Sequence, residues 1–241
     1  MNEYLDRTIK AILFDLDGTL LDIKLDKFVS QYINLLAQSV AHIIPPNKFI
    51  PKILKASRAV EKNDGRASNE DIYENVFFPL EGHSREEIQP YFDDFYQNDF
   101  SKLRQYARKK PEARKVVQTA FDKGFVVVIA TTPLLPATAI KQRLEWAGVA
   151  DFPYQLITTI ENSYATKSVL HLLYYENILD RIGFPAKACL MVGDENKDLI
   201  SARLGIQTFL VESPYTKYDI NIPEPNYRGT LDDLNSLILN K

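Results

Sequence analysis

Apolar residues recur along this chain in two patterns, short continuous runs and helical stripes, and the two alternate. Ala11-Ile12-Leu13-Phe14, Phe125-Val126-Val127-Val128-Ile129-Ala130 and Ala188-Cys189-Leu190-Met191-Val192 are unbroken apolar runs. They predict buried strands over 9–14, 125–130 and 188–192, with further strands over 155–159 and 207–211. Between them the pattern predicts helices over 111–123, 136–147, 168–180 and 198–204, and a short last helix running to Leu239. Regular strand–helix alternation implies a parallel sheet with crossover helices. Ligands of such a sheet belong at the C-terminal edge of its strands.

Residues 22–108 break the rhythm, because no clear strand occurs there. The stretch 25–44 places Phe28, Tyr32, Leu35, Leu36 and Val40 on one side of a helix. Further helices are expected over 51–62, 69–78 and 84–106, the last opened by the capping-box pattern Ser84-Arg85-Glu86-Glu87. The expected organisation is therefore a core of 1–21 and 109–241 with a helical domain, 22–108, inserted after the first strand. Two linkers, near 20–24 and 107–112, join them, and Pro111 marks the return to the core. An apolar-faced insertion on two linkers reads as a mobile lid with its own small core. Its polar stretch from Lys62 to Asn69 has the composition of a solvated turn, in which Arg66 is a candidate anion contact.

The chemistry is concentrated where the first strand stops. Asp15 and Asp17 follow Phe14, separated by Leu16, and Gly18-Thr19 comes next. Period-two alternation sends both carboxylates to one side of an extended chain. Like charges so close require a cation between them or a shared proton. The pair reads as a metal site, an acid/base pair, or both.

Asp15-Leu16-Asp17-Gly18-Thr19-Leu20 resembles the first motif of the haloacid dehalogenase superfamily, most of whose members are magnesium-dependent phosphohydrolases. The resemblance implies Asp15 as nucleophile and Asp17 as general acid/base. Thr131, at the end of the run 125–130, matches the family's phosphate-binding hydroxyl; Thr132 stands where the family usually has Asn. Among the lysines that follow, Lys141 falls inside a helical stretch and Lys187 precedes a strand. Lys167 comes after a strand and loop and opens the predicted helix, with Ser168 where many relatives have Pro. Lys167 thus matches the phosphate-binding lysine. Gly193-Asp194-Glu195-Asn196-Lys197-Asp198 follows the last of the three apolar runs, and Asp194 and Asp198 match the family's two acidic positions. Glu195, between them, is left out of the site.

The resemblance further implies a Rossmann-like α/β core whose insertion is an all-helical cap. It implies Mg²⁺ held by Asp15, Asp194 and the backbone carbonyl of Asp17, with Asp198 orienting ligands or Lys167. Mg²⁺ prefers oxygen donors and keeps several waters, so two carboxylates and a substrate phosphate suit it. The implied substrate is a small phosphorylated metabolite. The segments 130–136 and 143–148 resemble a phosphatase-like branch. A phosphomutase retains every residue named, and a binding or regulatory protein with lapsed chemistry retains the fold; both stand as alternatives.

Composition narrows the partners. The chain has 241 residues and a formal net charge of −3, which argues against nucleic acid as the main partner. Its densest basic run, Arg108-Lys109-Lys110, reads as a solvated linker. No stretch approaches the roughly 20 apolar residues of a membrane span. The first ten residues are mixed and charged, without an apolar signal region. The single cysteine, Cys189, lies in a predicted core strand, so a reducing, cytoplasmic setting is expected. His42, His83 and His171 are scattered and lack ligand spacing.

Overall fold

The computed structural model describes residues 4–213, 216, 219 and 221–241; the first three residues of the charged N-terminal stretch lie outside it. The strands are β1 (Ala11–Phe14), β2 (Leu21–Ile23), β3 (Ala107–Lys109), β4 (Val126–Ile129), β5 (Leu156–Ile157), β6 (Cys189–Gly193), β7 (Gln207–Val211) and β8 (Tyr227–Gly229). The helices are α1 (Leu25–Ser39), α2 (Pro46–Glu61), α3 (Asn69–Phe77), α4 (Arg85–Asp94), α5 (Pro111–Asp122), α6 (Ala137–Ala147), α7 (Leu173–Ile182), α8 (Asn196–Leu199) and α9 (Leu231–Leu239).

Six strands form one parallel sheet in the order β5-β4-β1-β6-β7-β8. β1 sits at its centre, in register with β4 (Phe14 opposite Ile129) and β6 (Phe14 opposite Val192). Alternation along each strand divides the core into two layers. Ile12, Phe14, Val127, Ile129, Leu190 and Val192 pack with apolar residues of α5, α6 and α9. Ala11, Leu13, Val128, Cys189 and Met191 face the other way, against Tyr174, Tyr175 and Ile178 of α7. Because both faces are covered, these strands are apolar at every position, and this is why they read as unbroken runs. The fold is Rossmann-like α/β, with a helical segment between β2 and β3.

That segment begins and ends in one place. β2 and β3 pair antiparallel, Leu21 opposite Lys109, Asp22 opposite Arg108 and Ile23 opposite Ala107. Three-residue strands carry too little alternation to be read, and the sequence showed no strand here. Within the segment, the Ser84 capping box is present, with Ser84 N–H donating to Glu87 Oε2 at 2.7 Å. Ser68 caps α3 by accepting from Asp71 N–H at 3.0 Å. The long helix expected over 84–106 is broken: α4 ends at Asp94, and one π-helical turn and a 3₁₀ stretch follow. Over that break Tyr32, Tyr96 and Phe100 pack ring against ring. The apolar cluster on the α5/α6 side continues without interruption into Phe28, Leu36, Phe49 and Phe77.

Other elements also differ from expectation, among them α2, which begins at Pro46 rather than at 51. α7 begins at Leu173 rather than Ser168, because the Ser168 hydroxyl accepts from Leu170 N–H at 3.1 Å and offers the backbone a turn instead of a helix. β8 is an edge strand that the sequence did not reveal; the Tyr227 hydroxyl fastens it to Gln207 at 3.1 Å. Among the described residues no helix is long and apolar enough to cross a membrane.

Candidate active site

Asp15, Asp17, Thr131, Asp194 and Asp198 lie beyond the C-terminal ends of the central strands β1, β4 and β6, and Lys167 reaches them from the loop after the edge strand β5. Asp15 leaves β1 with its N–H bonded to Val192 O at 2.9 Å. Thr131 follows β4, Asp194 follows β6, and Asp198 lies in α8. Thr131 is buried, and its carbonyl is held from behind by the Thr158 hydroxyl (2.7 Å) and the Tyr174 hydroxyl (2.9 Å). That network fixes the strand end and leaves the Thr131 side chain lining a cavity above the sheet.

Lys167 ties the acidic groups together. Its Nζ donates to Asp15 Oδ1 at 2.5 Å and to Asp198 Oδ1 at 2.6 Å, and all three side chains are buried. Lys167 belongs to the loop before α7, not to a helix start as expected. Burial opposes its charge, but Asp15 and Asp198 more than offset that and hold the ammonium protonated, well above the usual lysine range. Lys141 is exposed on α6, and Lys187 stands before β6 at the opposite end of the sheet.

Asp15, Asp194 and Asp198 bring carboxylate oxygens within 4.8 Å of one another, the one such cluster of metal-type ligands among the described residues. Burial, then the charges of Asp15 and Asp198, pushes Asp194 up to about 8. Burial likewise lifts Asp198 to about 7 despite its pairing with Lys167. One ammonium does not offset three crowded carboxylates, so Asp194 and Asp198 hold protons instead, and an oxygen-seeking cation fits in place of those protons. Glycine geometry keeps the cradle tight. Gly18 has φ 89°, and a Cβ there would overlap Asp194 Oδ2. The Thr19 hydroxyl donates to Asp194 Oδ1 at 3.0 Å. Asp198 also caps α8, accepting from Glu195 N–H at 3.1 Å, while Glu195 is exposed.

Asp17 stands apart from that cluster. Its carboxylate forms a buried ion pair with Arg143 of α6, a residue the sequence reading did not assign. Burial dominates and raises the Asp17 pKa, with Arg143 opposing. Asp17 Oδ1 and Arg143 Nε are both buried without a hydrogen-bond partner. One sequence signal was available: Arg143 occupies the apolar face of α6, between Ile140 and Trp146.

Lys110 corrects a second reading. It is half-buried rather than solvated, and its Nζ donates to the Gly18 carbonyl beside the acidic cluster. Burial lowers its pKa, with Asp194 the largest opposing charge. Arg66, by contrast, is exposed, pairs with Asp64 at 3.2 Å and does not line the cavity. Thr132 does line it.

The cavity is about 670 Å³ and lies between the strand ends and the helical segment, with Asp15, Asp17, Thr131, Arg143, Lys167 and Asp198 on its floor. A sequence model of the haloacid dehalogenase-like hydrolases matches residues 9–205. The chain belongs to that family. Among curated relatives, a phosphoglycolate phosphatase of Vibrio cholerae serotype O1 is 26% identical over 242 residues, covering 96% of each chain. Among solved structures, a HAD phosphatase from Thermococcus onnurineus superposes with a TM-score of 0.59 at 16% identity, covering 97% of this chain and 99% of that one. An L-2-haloacid dehalogenase from Xanthobacter autotrophicus gives 0.56 at 14% identity, covering 96% and 98%. Phosphatase and dehalogenase thus share this hydrolase's fold, and only the site chemistry separates them.

Proposed function

We propose that this hydrolase is a Mg²⁺-dependent phosphomonoesterase that works through an aspartyl-phosphate on a small phosphorylated metabolite. The observation that carries the reading is the cluster of Asp15, Asp194 and Asp198, with Lys167 paired to Asp15 and Asp198 and Asp17 held separately by Arg143. Three carboxylates with one ammonium would repel a phosphate dianion, and a cation among them reverses that. Asp15, Asp194 and the backbone carbonyl of Asp17 would hold it. Bound Mg²⁺ supplies charge neutralisation at the phosphoryl oxygens.

The chain's own groups do the rest. Asp15 attacks phosphorus, the ester P–O bond breaks, and Asp17 gives its proton to the departing alkoxide. Water then attacks the same phosphorus, the P–O bond to Asp15 breaks, and Asp17 takes back a proton. The sum is ester plus water to alcohol plus inorganic phosphate. Lys167 and the Thr131 hydroxyl offset charge on the transferring phosphoryl oxygens. Departure of a halide needs no proton, so an acid at Asp17 favours phosphoester over carbon–halogen cleavage. The segment 22–108 acts as a cap that closes over the cavity and excludes water. The phosphatase named among the relatives supports the reaction class.

The test is turnover of a generic aryl phosphate by purified protein with Mg²⁺, compared with Asp15→Asn. Wild type should release phosphate, and the variant should lose several orders of magnitude. Near-wild-type activity in a folded Asp15→Asn protein removes the mechanism.

A further inference from the structure

The cavity is larger and more apolar than a phosphate with a two-carbon body requires. Its volume of about 670 Å³ lies in the range of roughly 300–1,000 Å³ that encloses drug-sized ligands. The phosphoryl end is fixed by Asp15, Thr131 and Lys167, so the remaining space belongs to the leaving group.

The wall facing that space is built by α1. Leu25, Val29, Ile33 and Leu36 recur at helical spacing and all line the cavity. Leu25 and Val29 remain 41% and 42% exposed, so the rest of the described protein leaves a large part of each side chain uncovered. Large apolar side chains left open inside a concave site are a surface for a ligand to bury. The polar feature in this wall is neutral: the Tyr32 and Tyr96 hydroxyls lie 2.7 Å apart, each the other's partner. Burial pushes the Tyr32 phenol up to about 12, so it stays uncharged at ordinary pH.

The charge around the outer cavity argues against a second anionic group on the substrate. Helices α2 to α4 contribute Glu61, Glu70, Glu74 and Asp93 to the lining, against the single cation Arg58. Arg85, from outside the lining, engages Glu70 at 3.5 Å and Glu74 at 2.7 Å. Glu161, Glu195 and Lys197 line the cavity as well, so three cations (Arg58, Arg85 and Lys197) face six carboxylates. A carboxylate carried far enough along the leaving group to reach that wall would enter a field of its own sign.

Resting on the phosphatase reading above, we propose that this enzyme takes a phosphomonoester with a bulky, uncharged, largely apolar leaving group, seated against the apolar stripe of α1. The apolar body lies along Val29 and Ile33, and Tyr32 and Tyr96 offer a neutral hydrogen bond beside it.

The test compares ethyl phosphate, 2-(2-naphthyl)ethyl phosphate and 2-phosphoglycolate with Mg²⁺. The first two expel alkoxides of similar basicity, so any difference reports the body of the leaving group. The naphthylethyl ester should exceed both others on the order of 100-fold in kcat/KM, mostly through KM. Equal rates for the two alkyl esters, or faster turnover of phosphoglycolate, overturn the inference. Val29→Asp should narrow the naphthylethyl-to-ethyl ratio at least about tenfold; an unchanged ratio overturns it too. Binding of both alkyl esters to Asp15→Asn protein by calorimetry separates this inference from the reaction. No turnover of any ester by wild type defeats the phosphatase reading. The binding preference still decides the leaving-group inference, tighter naphthylethyl binding supporting it and equal binding sinking it.

Discussion

Arg143 and Asp17 form a buried ion pair that joins α6 to the loop after β1. Only 4% of the Arg143 side chain and 16% of the Asp17 side chain remain accessible. The guanidinium also lies 6.0 Å from the Phe28 ring of α1, so one side chain touches the sheet edge and the inserted helices together. Removing one member of a buried pair leaves an uncompensated charge, which typically costs about 3–5 kcal/mol. Arg143→Met should therefore destabilise by roughly that amount in urea unfolding. Asp17→Asn combined with Arg143→Met should recover a large part of the loss, because neither charge is then stranded. Strictly additive single and double variants would show that the pair has no energetic coupling.

The proposed proton role of Asp17 is separable from its ion pair. Asp17→Asn should cost roughly 10²–10⁴ in kcat on alkyl phosphates, whose alkoxides need a proton to leave. On a nitrophenyl phosphate the loss should be much smaller. Equal losses on both ester types would count against Asp17 as the acid, whatever the change in stability.

How far the sequence reached follows from where each residue sits. Asp15, Asp17, Thr131, Asp194 and Asp198 were legible because each follows an unbroken apolar run within a few residues, and a parallel sheet gathers such ends at one edge. Lys167 was found by order along the chain, although its loop was mistaken for a helix start; the competing Ser168 turn is a local hydrogen bond that periodicity does not express. Arg143 was missed because its sequence position is that of an apolar core residue, and only tertiary packing shows that Asp17 faces it. Lys110 was missed for the opposite reason. A run of three basic residues looks solvated until β3 carries its last member toward Gly18. The cavity wall was out of reach, since Val29 and Tyr96 are 67 positions apart and meet through folding alone.

The acidic cluster should respond to metal in a way that needs no turnover. If Asp15 and Asp194 hold the cation, Mg²⁺ at about 100 times its Kd stabilises the protein by about 2.7 kcal/mol, or roughly 5–10 °C in Tm for a chain of this size. Asp194→Asn should abolish most of that shift. The same variant, stripped with EDTA, should be at least as stable as metal-free wild type, because it removes a carboxylate crowded against Asp15 and Asp198. Identical Mg²⁺ shifts in wild type and variant would place the metal elsewhere.

Closure of the proposed cap over the cavity must contend with Asn69, at the start of α3. Its side chain is fully buried; the amide donates to Pro133 O at 3.2 Å and Ala165 O at 3.1 Å, and the oxygen accepts from Asn63 Nδ2 at 2.8 Å. Its own N–H reaches Ser163 O at 2.7 Å. The helical segment is therefore pinned to the loops that carry Thr131 and Lys167, at a point far along the chain from the β2–β3 ribbon. Asn69→Ala strands two buried carbonyls and should cost about 1–3 kcal/mol. If residues 22–108 move as a lid, the variant should also speed amide hydrogen exchange in α3 and in the loop around Lys167, and raise KM more than it lowers kcat. Faster exchange spread evenly over the whole sheet would instead mark Asn69 as an ordinary packing residue, and the lid would then have to pivot on the ribbon alone.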